Sequence, residues 1–219
     1  MIYFIDLDGT LINSKQRHCI LMKKILKKEK LDHNFNEKSY FQKKEDGMNN
    51  YNYLIKELKI NKSQAKKICK KWVRHIEDIK YIKSDKLYHD TTDFLKNIRK
   101  KNKNKIVFLT SRKKYINLIL ELKKLNIIKY ADKIIKVSTK NAGKEKEKYI
   151  NKFIKKNQHN SYVLIGDSEA EIYAACKSNI SYFILNRGFR SEKFLENYNI
   201  KTYKNLETIY ERIVTNEEL

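Results

Sequence analysis

Beyond about His89 the chain alternates between short apolar runs and amphipathic stretches. This alternation restricts the fold more than any other feature. The apolar runs lie at residues 105–109 (KIVFL), 133–137, 162–165 (YVLI) and 181–185 (SYFIL), and predict strands. Helices are predicted between and around them, at 92–101, 113–125, 144–156 and 169–178. Strands that alternate with helices of about ten to fifteen residues build a parallel sheet covered on both faces. The first apolar run, residues 2–7, predicts one more strand of that sheet. Residues 13–84 break the alternation and hold no convincing strand. Helical spacing recurs there at 19–28, 50–58 and 63–79. The last stretch has Ser63 as N-cap and Ala65, Ile68, Trp72, Val73 and Ile76 on one stripe. The expected fold is α/β. A doubly wound parallel-sheet core (residues 1–12 and 85–219) carries an inserted all-helical unit (residues 13–84), and residues 217–219 fray.

Composition excludes some classes of function and leaves one ambiguity. No apolar run approaches the ~20 residues needed to span a bilayer, and a signal peptide is not expected, because the first residues show no basic stretch followed by an apolar run and a small-residue cleavage site. Cys19, Cys69 and Cys176 have neither zinc spacing nor a disulfide framework, so a reducing cytoplasm is expected. The formal net charge of +23 suggests a polyanionic partner. However, it comes from 42 Lys and only 7 Arg, in a chain without proline. Arg is the better bidentate reader of phosphate, and the excess charge is spread along the whole chain. The lysine excess therefore reads as codon bias, with runs such as KKNKNK at 100–105 as solvated turns.

In open α/β sheets chemistry sits at the carboxyl ends of the strands. The first run ends in Asp6-Leu7-Asp8-Gly9-Thr10. Residues i and i+2 of a strand face one side, so Asp6 and Asp8 are expected to share one space and repel. A cation or a held proton relieves that repulsion. KIVFL ends in Thr110-Ser111-Arg112, where a hydroxyl before a helix N-terminus suits a phosphate. YVLI ends in Gly166-Asp167-Ser168-Glu169-Ala170-Glu171. Asp167 caps the next helix or completes a cation site with the first two aspartates. Oxygen donors without His or Cys suit Mg²⁺. A lysine from the segment 140–146 can neutralise a bound phosphate; Lys144, following Gly143, is favoured over Lys140 and Lys146.

Together these pieces resemble the haloacid dehalogenase (HAD) superfamily: DLDGTL at 6–11, Thr110-Ser111, a downstream lysine and GDSEAE at 166–171. The helical insertion looks like the type I cap of that superfamily, and residues 186–191 look like a loop of its phosphoglycolate phosphatase-like members. The common DGTLxDS reads DGTLINS here, with Asn13 in place of Asp. The resemblance implies a phosphatase that forms an aspartyl-phosphate on Asp6. Asp8 is implied as general acid and base, its carboxyl raised by crowding from Asp6. Mg²⁺ is implied on Asp6, Asp8 (by its backbone carbonyl) and Asp167, with Glu171 in the outer shell. Phosphate binding is implied for Gly9, Thr10, Thr110, Ser111, Arg112 and Lys144.

The expected substrate is a small phosphorylated metabolite or nucleotide, with no membrane partner and a monomeric or homodimeric state. Asp8 argues against a dehalogenase, which has no leaving alcohol to protonate. A sugar-phosphate mutase is one alternative. A phosphatase of nucleic-acid 3′-ends that uses the basic surface is another. Asn13, Ser14 and Arg17, near the hinge, are candidate substrate contacts. The histidines (18, 33, 75, 89 and 159) and Trp72 are expected to serve surface or packing roles.

Overall fold

The computed structural model of the chain describes residues 1–32, 34–101, 103–157 and 161–215. The expectations for residues 217–219, His33 and His159 lie outside these residues.

The chain begins with β1 (Ile2–Ile5) and β2 (Ile12–Asn13). Five helices follow: α1 (Lys15–Lys28), α2 (Glu37–Glu45), α3 (Asn50–Lys56), α4 (Lys62–His75) and α5 (Ile79–Ile82). Then come β3 (Lys86–Leu87), α6 (Thr91–Arg99), β4 (Lys105–Thr110), α7 (Tyr115–Lys124), β5 (Lys133–Lys136) and α8 (Ala142–Lys156). The chain continues with β6 (Tyr162–Gly166), α9 (Glu169–Ser178), β7 (Ser181–Leu185), α10 (Glu192–Glu196), β8 (Thr202–Tyr203) and α11 (Leu206–Thr215). Six strands form one sheet in the order β5-β4-β1-β6-β7-β8, and every neighbouring pair is parallel. The order reverses around β1, so its carboxyl end lies between those of β4 and β6.

The apolar run of β1 is buried on both sides, as a central parallel strand requires. Tyr3 and Ile5 pack in the layer of Phe94, Leu95, Ile98, Ile209 and Ile213 from α6 and α11. Ile2 and Phe4 pack in the opposite layer, with Ile150 of α8 and Ala174 and Ala175 of α9.

The helices between residues 15 and 82 have a core of their own, which includes Leu21, Met22, Tyr40, Tyr53, Leu54 and Ile68. Asparagine starts three of them. The side chains of Asn36, Asn49 and Asn61 accept hydrogen bonds from the backbone N–H of Ser39, Asn52 and Gln64, each at 2.9 Å. Asn61 therefore displaces Ser63 as the cap of α4. Val73 lies off the stripe formed by Ala65, Ile68, Trp72 and Ile76, and is 43% exposed. Among the described residues no helix is long and apolar enough to cross a membrane.

Two of the connections between this helical unit and the sheet fix its base. One is the antiparallel ribbon of β2 and β3, which pairs Ile12 with Leu87 and Asn13 with Lys86. The other is Glu77. Its carboxylate accepts from the backbone N–H groups of Lys113 (3.0 and 2.9 Å) and Lys114 (2.6 Å), at the start of α7. Lys114 is the N-cap position and supplies no side-chain cap of its own, so a residue far away in sequence fills the role. Asn117 donates back to the Glu77 carbonyl at 2.7 Å. Glu77→Ala is expected to lower stability by about 1–2 kcal/mol, the value of a helix cap. The check is a urea midpoint measured beside that of an exposed control such as Glu196→Ala. An unchanged midpoint would contradict the assignment.

Candidate active site

β1 is shorter than expected and ends at Ile5. From there the chain enters a turn in which the Leu7 carbonyl accepts from the N–H of Leu11 (2.9 Å) and of Ile12 (2.8 Å). Asp6 and Asp8 are thus not successive positions of a strand, and each finds its own cation. Gly9 sits at φ +82°, a conformation glycine adopts without strain. A Cβ there would lie 2.1 Å from Asp167 Oδ2, and a Cβ at Gly188 would lie 2.0 Å from the same atom. The two glycines leave the space in which the Asp167 carboxylate sits.

A cavity of about 380 Å³ opens at the carboxyl ends of β1, β4 and β6. The core lines it with Asp6, Asp8, Thr110, Lys146, Asp167 and Glu171, among others. The helical unit contributes Arg17, His18, Lys44, Trp72, Ile76 and Glu77.

Lys146 is the lysine of this site. Its buried ammonium donates to Asp6 Oδ1 at 2.6 Å and to Glu171 Oε1. Lys144, the favoured candidate, lies exposed on α8 and corrects to Lys146. Two residues along a helix turn a side chain through about 200°, so the two lysines cannot serve one site. Glu171 is likewise more than an outer neighbour of a metal. It fixes Lys146, and its other oxygen accepts from the Ser168 hydroxyl (2.6 Å) and the Ser168 N–H (3.1 Å), closing a capping box at the start of α9.

Asp8 is held by two arginines. Arg17 Nη2 donates to Oδ1 at 2.7 Å, and Arg112 donates Nε to Oδ2 at 2.6 Å and Nη2 to Oδ1 at 2.8 Å. Burial alone would raise this carboxyl. The guanidiniums of Arg112 and Arg17 outweigh burial and hold it well below the usual carboxylate range. The expectation that crowding by Asp6 raises Asp8 is therefore reversed. The raised group is Asp6, pushed up to about 7 by burial and by Glu171 and Asp8, against the pull of Lys146. Asp167 is raised too, by burial, Glu171 and Asp6, although Phe189 N–H donates to its Oδ2 at 2.6 Å.

Arg112 does not offer an open face to phosphate. Besides Asp8 it binds Glu121 through Nη1 at 2.6 Å. Asp85 completes this buried group, its Oδ2 lying 3.1 Å from Arg17 Nη1. Its carboxyl is pushed up to about 9 by burial and by Glu121 and Asp8, despite Arg17. Gly9 and Thr10 also depart from expectation. Neither lines the cavity: the Gly9 N–H donates to Ile12 O (2.8 Å), and Thr10 gives its carbonyl to Arg187 at 2.9 Å. Ser111 and Thr110 do line it. Of the hinge candidates, Arg17 reaches the cavity. Asn13 instead accepts from the Lys15 N–H at 3.2 Å, and Ser14 is buried. His18 and Trp72, expected only to pack, form part of the cavity wall.

The residues fit a hard divalent cation. Asp6 and Asp167 are buried, raised and short of positive charge, with Lys146 shared between Asp6 and Glu171. Among the described residues no three of His, Cys, Asp or Glu converge on one point. Mg²⁺ does not require that, because it is commonly held by one or two carboxylates with water and substrate oxygen completing the shell.

Residues 3–185 match the family model of haloacid dehalogenase-like hydrolases. The chain belongs to that family. No curated protein matches the sequence of this hydrolase. Its fold is similar to a haloacid dehalogenase-like hydrolase from Streptococcus pneumoniae, with a TM-score of 0.76, 19% identity and 97% of each chain covered. A predicted phosphatase from Clostridium acetobutylicum aligns with a TM-score of 0.71, 19% identity and 98% of each chain. A predicted phosphoglycolate phosphatase from Haemophilus somnus aligns with a TM-score of 0.68, 14% identity and 96% of each chain. The parallel six-stranded sheet flanked by helices and the helical insertion of the hydrolase are consistent with that fold.

Proposed function

We propose that this hydrolase is a Mg²⁺-dependent phosphomonoesterase acting on a small phosphorylated metabolite, with residues 13–84 as its cap. The observation that carries this reading is the cavity in which Asp6, Thr110 and Asp167, each at a strand end, meet the buried ammonium of Lys146. Asp6 attacks phosphorus and forms an aspartyl-phosphate as the P–O bond to the leaving alcohol breaks. Thr110 and Lys146 bind the oxygens that are not transferred. Lys146 also fixes Asp6 at one oxygen and leaves the other for attack. Asp8, kept ionised by its arginines, takes a proton from the water that hydrolyses the acyl phosphate. Its acid role toward the leaving group requires that substrate binding first loosen those arginines. Asp6 and Asp167 would hold Mg²⁺ together with the Asp8 carbonyl, and the ion supplies charge neutralisation at the transferring phosphoryl group. The cap excludes water from the first step.

The test is phosphate release from a panel of phosphorylated metabolites, nucleotides and an oligonucleotide 3′-phosphate, in Mg²⁺ and in EDTA. Turnover of metabolites that disappears in EDTA is expected. Full activity in EDTA overturns the metal requirement. Activity confined to the oligonucleotide, falling steeply between about 50 and 200 mM salt, assigns the basic surface to nucleic acid instead.

A further inference from the structure

Five cations line the cavity, and four of them are paired with carboxylates. Arg17 and Arg112 hold Asp8, Lys146 holds Asp6 and Glu171, and Arg190 holds Glu169 at 2.5 Å. Lys44, in the last turn of α2, is the exception among the described residues. Its ammonium has one neutral acceptor, Asn50 Oδ1 at 3.2 Å, which it shares with the Tyr40 hydroxyl. It also lies 5.6 Å from the centre of the Tyr40 ring and 5.5 Å from that of Trp72. Ring faces compensate a cation only in part, and an ammonium drawn out of water without a counter-charge is costly. The cost is visible in its acidity, since burial and then Arg190 push Lys44 down to about 8.

The same wall carries two more buried polar atoms without partners, Trp72 Nε1 and His18 Nδ1. An indole N–H can only donate. The His18 ring stands 5.1 Å from the Trp72 ring and 4.7 Å from that of Phe189, so these groups form one cluster on the cap side. The core side of the cavity already has Thr110 and Lys146 for the phosphoryl group. The one carboxylate that the cap adds to this lining, Glu77, is taken up by the backbone N–H groups of Lys113 and Lys114, so none is paired with Lys44.

We propose that the cap reads a second oxyanion on the substrate, remote from the phosphoryl group under attack, through the Lys44 ammonium and the Trp72 N–H. The inference rests on the phosphomonoesterase reading and narrows its substrate class to phosphomonoesters that carry a further carboxylate or phosphate. At about 380 Å³ the cavity is within the range of small-molecule sites.

The experiment uses matched pairs. Glycerol 3-phosphate and 3-phosphoglycerate differ by a carboxylate, and fructose 6-phosphate and fructose 1,6-bisphosphate differ by a phosphate. Binding is measured by calorimetry on Asp6→Asn protein, which cannot turn substrate over, and turnover on the wild type. The doubly anionic member of at least one pair should bind more tightly, and the pair that shows it tells carboxylate from phosphate. Adding Lys44→Met should cost that member at least about 30-fold in affinity and leave its singly anionic partner within a factor of three. Lys44→Arg, which keeps the charge, should retain the preference, and Trp72→Phe should weaken it. Equal binding within both pairs, or equal losses for both members in Lys44→Met, overturns the proposal. A binding preference in protein that releases phosphate from nothing supports the second-anion site and overturns the phosphatase reading alone.

Discussion

Replacing Lys146 with methionine is expected to abolish turnover and to destabilise the protein as well. The ammonium is the cation that the buried Asp6 and Glu171 share, at 2.6 Å from Asp6 Oδ1. Removing it leaves two carboxylates out of water with nothing to balance them. Breaking a buried pair in this way costs about 3–5 kcal/mol. In a chain of this size that is roughly 6–20 °C of melting temperature. Lys144→Met, two residues away on the exposed face of α8, should keep its melting temperature within about 1 °C and its activity within about threefold. Thermal denaturation in EDTA separates the two effects, because the charge imbalance then cannot be relieved by a divalent ion. Equal behaviour of the two variants would falsify the assignment of Lys146.

Asp6→Asn should lower turnover by at least about 10⁴-fold, the scale seen when a nucleophile is removed from a working site. Its stability should move the other way. The Asp6 carboxyl is raised to about 7 in the fold, by burial first and then by Glu171 and Asp8. Its ordinary value is about 3.9. A carboxyl raised in the folded state favours folding when protonated. That contribution fades as pH climbs from about 4 to about 7, and above that range the ionised group opposes folding. Asparagine carries no such penalty and can still accept from Lys146. In EDTA the variant should therefore melt at or above the wild type at pH 8, and the gap should close toward pH 4. Mg²⁺ should stabilise the wild type more than the variant. A variant that melts well below the wild type at pH 8 in EDTA contradicts this balance of charges.

The strand–helix alternation made the sheet readable, since buried strands and amphipathic helices leave strong local periods. β8 escaped because the strand is two residues long and its run, Thr202–Tyr203, has no period to detect, whereas α11 was missed although Leu206, Ile209 and Ile213 stand at helical spacing. Helix α2 escaped because its buried residues are the adjacent pair Tyr40 and Phe41, which mark no stripe. Asp6, Thr110 and Asp167 were legible because strand ends are fixed by the chain itself. The choice of lysine was misread although a signal existed. Lys146 lies four residues before Ile150, on the buried face of α8, and a lysine on an apolar stripe has a reason to be there. The pairing of Asp8 with Arg17 and Arg112 was not legible, because its members come from three separate segments. The same holds for Lys44, His18 and Glu77, whose meeting with the core depends on how the helical unit rests on the sheet.

The position of β1 has a consequence for how the protein is made. It is made before every other strand of the sheet, yet it pairs with β4 and β6, which begin at Lys105 and Tyr162. At about 5–20 residues per second its apolar run waits several seconds for either partner. During that interval the helices from residue 15 to 82 are complete, and they have a hydrophobic cluster of their own. Their collapse brings Asn13 and Lys86 together in the β2–β3 ribbon and shortens the loop that β1 must close to find β4. The insertion that covers the finished site thus also acts earlier, as a splint that holds the nascent first strand within reach of its neighbours.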